Sequence, residues 1–272
     1  MTFMLDQKKI VLGISGGIAA YKCAHLVRLL VKEGAEVKVL LTTSAAQFIT
    51  PQTLSVLSKN EVLSDFFDAD HNWNNHVALA EWADVLLIAP LTANTLAKMA
   101  TGICDSLLLA VYLSAKTKTI VAPAMDLDMY KHPTVLNNLK TLTSFGNKII
   151  PAENGELASG LVGEGRMAEP ETLIRFLQAH FSEGLPLKGK TALVNAGPTY
   201  EAIDPVRFIG NRSTGKMGLA IANELSKQGA HVTLVIGPTS LAISNKSLQV
   251  IHVESSEQMF KQTLAHYENK DM

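Results

Sequence analysis

The stretch Ile10 to Lys22, IVLGISGGIAAYK, has the residue types that could hold a phosphate. An apolar run, a turn supplied by Gly13, Gly16 and Gly17, and helical spacing from Ile18 to Leu30 predict strand, tight loop and helix start. Such a loop aims backbone N–H groups and a helix N-terminus at one point. Gly16 lets the backbone come close, and Ser15 adds a hydroxyl. The spacing G-x-S-G-G is neither G-x-G-x-x-G nor a Walker A loop, and a purely structural βα turn fits the loop taken alone equally well.

Further polar groups follow at strand ends. Glu36–Leu41 reads as a second strand ending in Thr42, Thr43 and Ser44, whose hydroxyls either face a ligand crevice or cap a helix near Ala45. A buried strand from Val85 to Ala89, ended by Pro90, leads to a polar loop from Thr92 through Ala93 and Asn94 to Thr95, which caps a further helix. His76 precedes a helical run from Val77 to Trp82, where a cap or surface role competes with a functional one. After a strand from Lys118 to Ala122 comes PAMDLDMY, with Met125, Asp126 and Met129. Buried Met wants an apolar partner, and this set suits the edge of a flat heterocycle. A strand at Asn147 to Ile150 leads to the glycine-rich stretch Glu153 to Leu173. It carries Gly155, Gly160, Gly163 and Gly165 ahead of Arg166 and Met167, and is expected to be a mobile lid or a linker.

These segments need an α/β scaffold, and the composition allows one. The 272 residues suffice for one large or two ordinary domains, with 47% hydrophobic and 18% charged residues. A net charge of −1 leaves no field to attract nucleic acid or an anionic membrane. Two cysteines, Cys23 and Cys104, are too few for a disulfide framework or a closed zinc site, and no metal site is expected. No targeting segment is visible at MTFMLDQKK, so a cytoplasmic protein is expected.

SEGLPLKGK is a Gly/Pro-punctuated connector after a helix from Glu171 to Phe181, dividing residues 1–182 from 188–272. Beyond it the pattern restarts with a strand from Thr191 to Asn195 and the loop AGPTYEAIDPVRFIGNRSTGKMG. A helix from Gly218 to Gln228, strands His231–Ile236 and Leu248–Val253, and a helix from Ser256 to Tyr267 complete it. Gly215-Lys216 lacks the following Ser/Thr, which rejects Walker A. Three strands make a thin Rossmann-like sheet, expected to be an incomplete second domain.

In order, GISGGIAAYK, HVALAEWAD, APLTANTLAKMATGICDSLL, PAMDLDMY and GLVGEGRM are similar to the motifs of the flavin-dependent cysteine decarboxylases, and GPTYEAIDPVRFIGNRSTGKMG resembles the start of a ligase domain. Together they resemble the bifunctional coenzyme A biosynthesis family, in which a phosphopantothenoylcysteine decarboxylase is joined to a phosphopantothenate-cysteine ligase. The resemblance implies an FMN-dependent, homo-oligomeric Rossmann-like domain, trimeric or a multiple, with sites shared between subunits. Ser15 and Gly16, with Thr42 or Ser44 and Thr92 to Asn94, would hold FMN. His76 would be the active-site histidine. Met125, Met129, Gly160, Arg166 and Met167 would meet the substrate. In the ligase segment Asn211 would stand at the acyl-nucleotide intermediate, near Arg207, with CTP and Mg2+ required in a full-length form. The truncated segment itself is expected to be inactive.

Two positions depart from the family pattern. Asp126 stands where the family has an asparagine contacting the substrate carboxylate, and Ser159 where a lid cysteine precedes the glycine. Hydride transfer from the thiol carbon to FMN leaves a thioaldehyde that accepts the electrons released with CO₂. The flavin must then return the hydride, and a serine is a poor acid for the accompanying proton. An ionised Asp126 about 4 Å from the substrate carboxylate would be repelled by on the order of 4 kcal/mol at an effective dielectric of about 20. Asp126 is therefore protonated there, or presses the carboxylate towards leaving, or the chain is a catalytically impaired flavin-binding or regulatory subunit. An NAD-type oxidoreductase is disfavoured, because no G-x-G-x-x-G with a following acidic residue is present.

Overall fold

The computed structural model describes residues 5–68 and 70–272. The chain divides into two compact units, residues 7–177 and residues 178–272, the latter also including Leu5 and Asp6.

In the first unit β1 (Lys9–Ile14), β2 (Glu36–Leu41), β3 (Val62–Leu63), β4 (Val85–Leu91), β5 (Lys118–Pro123) and β6 (Lys148–Ile149) form one parallel sheet in the order β3-β2-β1-β4-β5-β6. β1 and β4 are near-continuous apolar runs because helices cover both faces of the sheet. Strand order reverses between β1 and β4, and that reversal opens a crevice at their C-terminal ends.

The helices are α1 (Lys22–Lys32), α2 (Pro51–Ser58), α3 (His76–Trp82), α4 (Ala93–Thr101), α5 (Leu107–Ser114), α6 (Leu127–Lys131), α7 (Pro133–Ser144) and α8 (Pro170–Ser182). α1 turns Cys23, Leu26, Val27 and Leu30 inward at helical spacing. α2 starts where the Thr50 side chain accepts from the Thr53 N–H, ahead of Pro51. α5 buries Leu107 to Val111 without a break, as befits a helix enclosed by the core.

Several local expectations are corrected. Gly13 lies inside β1 rather than in the turn, and a Cβ there would run into the side chain of Leu108. Ile18–Tyr21 is a 3-10 turn, and α1 begins only at Lys22. β4 continues through Pro90 to Leu91, because its register against β5 shifts between Ile88 and Leu91 and a bulge needs no N–H from proline. The segment from Ala93 to Thr95 is the first turn of α4 rather than a loop. The glycine-rich stretch is an ordered antiparallel hairpin of β7 (Glu153–Glu156) and β8 (Val162–Arg166), not a linker.

The second unit holds β9 (Thr191–Ala196), a hairpin of β10 (Glu201–Ala202) and β11 (Phe208–Ile209), α9 (Lys216–Lys227), β12 (His231–Ile236), β13 (Gln249–His252) and α10 (Ser256–Tyr267). Its sheet is parallel, ordered β13-β12-β9, over a core that includes Ala192, Ala222, Val232 and Leu234. A Cβ on Gly218 would lie 2.6 Å from that of Ala196, so glycine lets α9 sit close on β9.

Candidate functional site

The C-terminal ends of β1, β2 and β4 meet around a cavity of about 600 Å³. Gly16, Thr42, Thr43, Ser44 and Thr92 give it a hydroxyl-rich end, and Leu109, Ala124, Met125 and Met129 an apolar one. Thr42 Oγ1 and Ser44 Oγ lie 3.3 Å apart. A Cβ on Gly16 would strike Ser44 and come 2.8 Å from that residue's backbone carbon, while one on Gly17 would sit 3.2 Å from Thr92 Cγ2. Glycine at both positions therefore lets the β1 loop lie directly against Ser44 and Thr92 at the cavity's hydroxyl end. A phosphate suits the hydroxyl end and a flat ring the methionine end, so the residues present fit a mononucleotide such as FMN.

Ser15 stands behind this wall rather than on it. Ser15 is 1% exposed, and its hydroxyl donates to the Pro90 carbonyl at 2.7 Å and accepts from the Thr92 N–H at 2.9 Å. Such bonds contribute on the order of 1 kcal/mol each and tie the β1 loop to the start of α4. Ala93 and Asn94 line the cavity as expected. Sequence reading missed Lys98, Asp105 and Ser106 on its rim, where Lys98 Nζ pairs with Asp105 Oδ2 at 2.6 Å. The run CDSLL carried the only available signal, a Ser ahead of an apolar helix.

A second cavity, of about 430 Å³, lies beneath the hairpin. Ala124 and Met125 line both cavities, so this loop forms a partition between them. The hairpin is moored to it, since Met125 N donates to the Gly165 carbonyl at 3.0 Å and a Cβ on Gly165 would strike the Met125 carbonyl oxygen. Asp126 and Arg166 line this cavity. Arg166 Nη2 pairs with Glu169 Oε1 at 2.9 Å, as does the buried Lys22 Nζ at 2.9 Å, which also donates to the Met167 carbonyl at 2.8 Å. The Lys22 hydrogen bond, ahead of the opposing burial and the Arg166 charge, holds Glu169 below the usual carboxylate range. This tie is intact above that range and is lost as pH falls through the lowered value.

His76 and Ser159 line neither cavity within one chain. His76 opens α3, with Phe66 and Trp73 edge-on at 6.3 and 6.0 Å between ring centroids. Its Nδ1 is buried without a hydrogen-bond partner among the described residues. Ser159 and Gly160 occupy the exposed hairpin tip, which Leu157 N closes by donating to the Leu161 carbonyl at 2.8 Å. Gly160 takes φ +84°, a conformation glycine adopts without cost. Burial pushes the Cys23 thiol far up, and its Sγ donates to the Ala89 carbonyl at 3.1 Å, so it is a packing group. Among the described residues no group of three or more His, Cys, Asp or Glu is placed to hold a metal ion, and no helix is long and apolar enough to cross a membrane.

In the second unit a cavity of about 690 Å³ faces the N-terminus of α9, lined by Gly197, Ser213, Thr214, Gly215 and Lys216. Asn211 is outside that lining, and its Oδ1 accepts from the Ser213 N–H at 2.9 Å. Arg207 Nε donates to Asp204 Oδ2 at 2.6 Å on the exposed hairpin.

A doubly wound sheet with a mononucleotide-sized crevice at its switch point and a flap over a second cavity defines a nucleotide-cofactor protein of the α/β class. The chain belongs to the flavoprotein family, whose model matches residues 2–182. Residues 187–272 match the DNA/pantothenate metabolism flavoprotein C-terminal domain. Over 229 residues the chain is 51% identical to a cysteine/cysteine sulfinic acid decarboxylase from an unknown prokaryotic organism, covering 82% of this chain and 64% of that one. It is 42% identical over 272 residues to the coenzyme A biosynthesis bifunctional protein CoaBC of Bacillus subtilis (strain 168), covering 99% of this chain and 67% of that one. A cysteine-to-serine mutant of PPC decarboxylase, solved in complex with pantothenoylaminoethenethiol, matches with a TM-score of 0.60 at 34% identity, covering 65% of this chain and all of that one. The chain spans about two-thirds of the length of the curated relatives.

Proposed function

We propose that the first unit is an FMN-dependent decarboxylase of a cysteinyl carboxylate, with 4′-phosphopantothenoylcysteine as substrate and 4′-phosphopantetheine as product. The observation that carries the reading is the pair of cavities sharing the Ala124-Met125 partition, which would set a cofactor on one side against a substrate on the other. Bound in the crevice, FMN would supply a hydride acceptor, and the substrate's oxidised thiol carbon could then take the electrons of the breaking C–C bond. The hydroxyls of Thr42, Ser44 and Thr92 would hold its phosphate end. Met125 and Met129 would flank its ring, and the flap would exclude water from the substrate.

The homo-oligomer completes the site. Trp73, Phe67 and Val77 are exposed beside His76, as are Ile18 and Tyr21 on the rim of the second cavity. Packing one face on the other in a second copy would cover apolar surface and carry His76 to a neighbour's flavin.

The relative named as a cysteine/cysteine sulfinic acid decarboxylase favours a second reading, in which the substrate is the amino acid itself. The second unit is a ligase-type nucleotide domain on this proposal. Gly197 and Ser213 to Lys216 would cradle a CTP phosphate at the α9 N-terminus, and Mg2+ would enter with the phosphates. Its Asn211 and Arg207 would meet the acyl-nucleotide.

The test is CO₂ release from carboxyl-labelled phosphopantothenoylcysteine or cysteine by the FMN-loaded chain. Turnover of either is expected, and a flavin-loaded chain that decarboxylates neither is an impaired or regulatory family member.

A further inference from the structure

The return strand of the flap is held residue by residue. The Gly165 carbonyl accepts from Met125 N, Arg166 Nη2 donates to Glu169 Oε1 at 2.9 Å, and the Met167 carbonyl accepts from Lys22 Nζ at 2.8 Å. Lys22 Nζ also donates to Glu169 Oε1 at 2.9 Å, so one carboxylate oxygen ties the start of α1 to the arginine. Lys22 and Met167 are buried, while Arg166 and Glu169 are half-buried. A buried ammonium is costly unless its donors are met, and here both acceptors lie in the segment that carries the flap.

Arg166 lines the cavity beneath the flap. Among the described residues its one side-chain hydrogen bond goes to Glu169 through Nη2, which leaves its other N–H groups for a ligand oxyanion. A Cβ on Gly155, in the facing strand, would come 3.3 Å from Arg166 Cδ and 3.5 Å from Nη1. The guanidinium therefore lies between that strand and Glu169, and Lys22 fixes Glu169. A long side chain without such an anchor gives up rotamer freedom when it binds.

We propose that Lys22 is a positioning residue, acting through Glu169 and the Met167 carbonyl to hold Arg166 over the cavity, where the guanidinium takes an oxyanion of the substrate. The proposal rests on the decarboxylase reading and adds a residue to it. The Lys22 ammonium is committed to two acceptors and takes no part in the chemistry. A guanidinium fixed before the substrate arrives strengthens ground state and transition state alike, so loss of Lys22 is expected in KM rather than in kcat.

The experiment compares the FMN-loaded wild type with Lys22→Met, Glu169→Ala and the double variant. Lys22→Met is expected to raise KM for phosphopantothenoylcysteine by about tenfold, the range of one charge-assisted hydrogen bond, with kcat within about threefold and flavin content unchanged. The double variant should fall short of the product of the two single effects, because both variants break the same clasp. A KM that moves less than about twofold in Lys22→Met, or full multiplication in the double variant, overturns the proposal. Amide hydrogen exchange of the same proteins without substrate reads the anchor itself. From β8 to Glu169 exchange should be about tenfold faster in Lys22→Met, with β1 and β4 unchanged, and equal exchange there overturns the proposal. If Lys22→Met does not fold, Glu169→Ala decides alone, by the same KM rise and faster β8 exchange or by their absence. A wild type that releases no CO₂ from phosphopantothenoylcysteine defeats the decarboxylase reading; the exchange difference then still supports the anchor, and its absence still overturns it.

Discussion

Replacing His76 by asparagine is expected to leave flavin bound and to cut CO₂ release by about 10² or more, the range of a positioned acid or base. His76 lines neither cavity of its own chain, so its loss removes no contact to the cofactor crevice. Its imidazole sits between Phe66 and Trp73 with a buried Nδ1 that has no partner among the described residues. Such an arrangement costs stability unless a second group arrives to use it. Asparagine keeps a polar side chain beside the Asn75 cap and does not disturb α3. The measurement is single-turnover CO₂ release beside the flavin absorption spectrum. Loss of flavin and of soluble protein together would assign His76 a structural role instead.

Gly16→Ala should empty the crevice. The added Cβ would lie 2.8 Å from the backbone carbon of Ser44 and closer still to its hydroxyl, and backbone does not yield as a flexible side-chain tip would. Either the β1 loop or the strand end carrying Thr42 and Ser44 must move, which breaks up the hydroxyl end of the cavity. Flavin content should fall to less than about a tenth of wild type, while far-UV circular dichroism is retained, because the site sits at strand ends outside the sheet core. Full flavin occupancy in this variant would show that the phosphate lies elsewhere.

The long elements were legible because their apolar periodicity is unambiguous. β2, β12 and α10 fall where alternation and helical spacing place them, and the hydroxyls after β2 do reach the crevice. Gly13 was misread because a glycine inside a parallel strand looks like a turn until the helix packed on it, here α5 through Leu108, is known. Pro90 misled for a related reason: only the register shift against β5 shows that its missing N–H is not needed. The glycine-rich stretch gave no alternating pattern, since its glycines serve close approaches to Leu127, Met125 and Arg166 rather than a flexible chain. Arg166 and Asp126, named from sequence, both line the second cavity, but no local pattern shows that Glu169 pairs with Lys22 as well as Arg166, because Lys22 lies 147 residues away in sequence.

The crevice at the β1/β4 switch point as a flavin site is tested most directly by titrating the purified chain with FMN and reading absorbance after removal of free cofactor. Binding of one FMN per chain, with a perturbed flavin band, is the expected result. A folded chain that stays colourless and leaves FMN free in solution would contradict it.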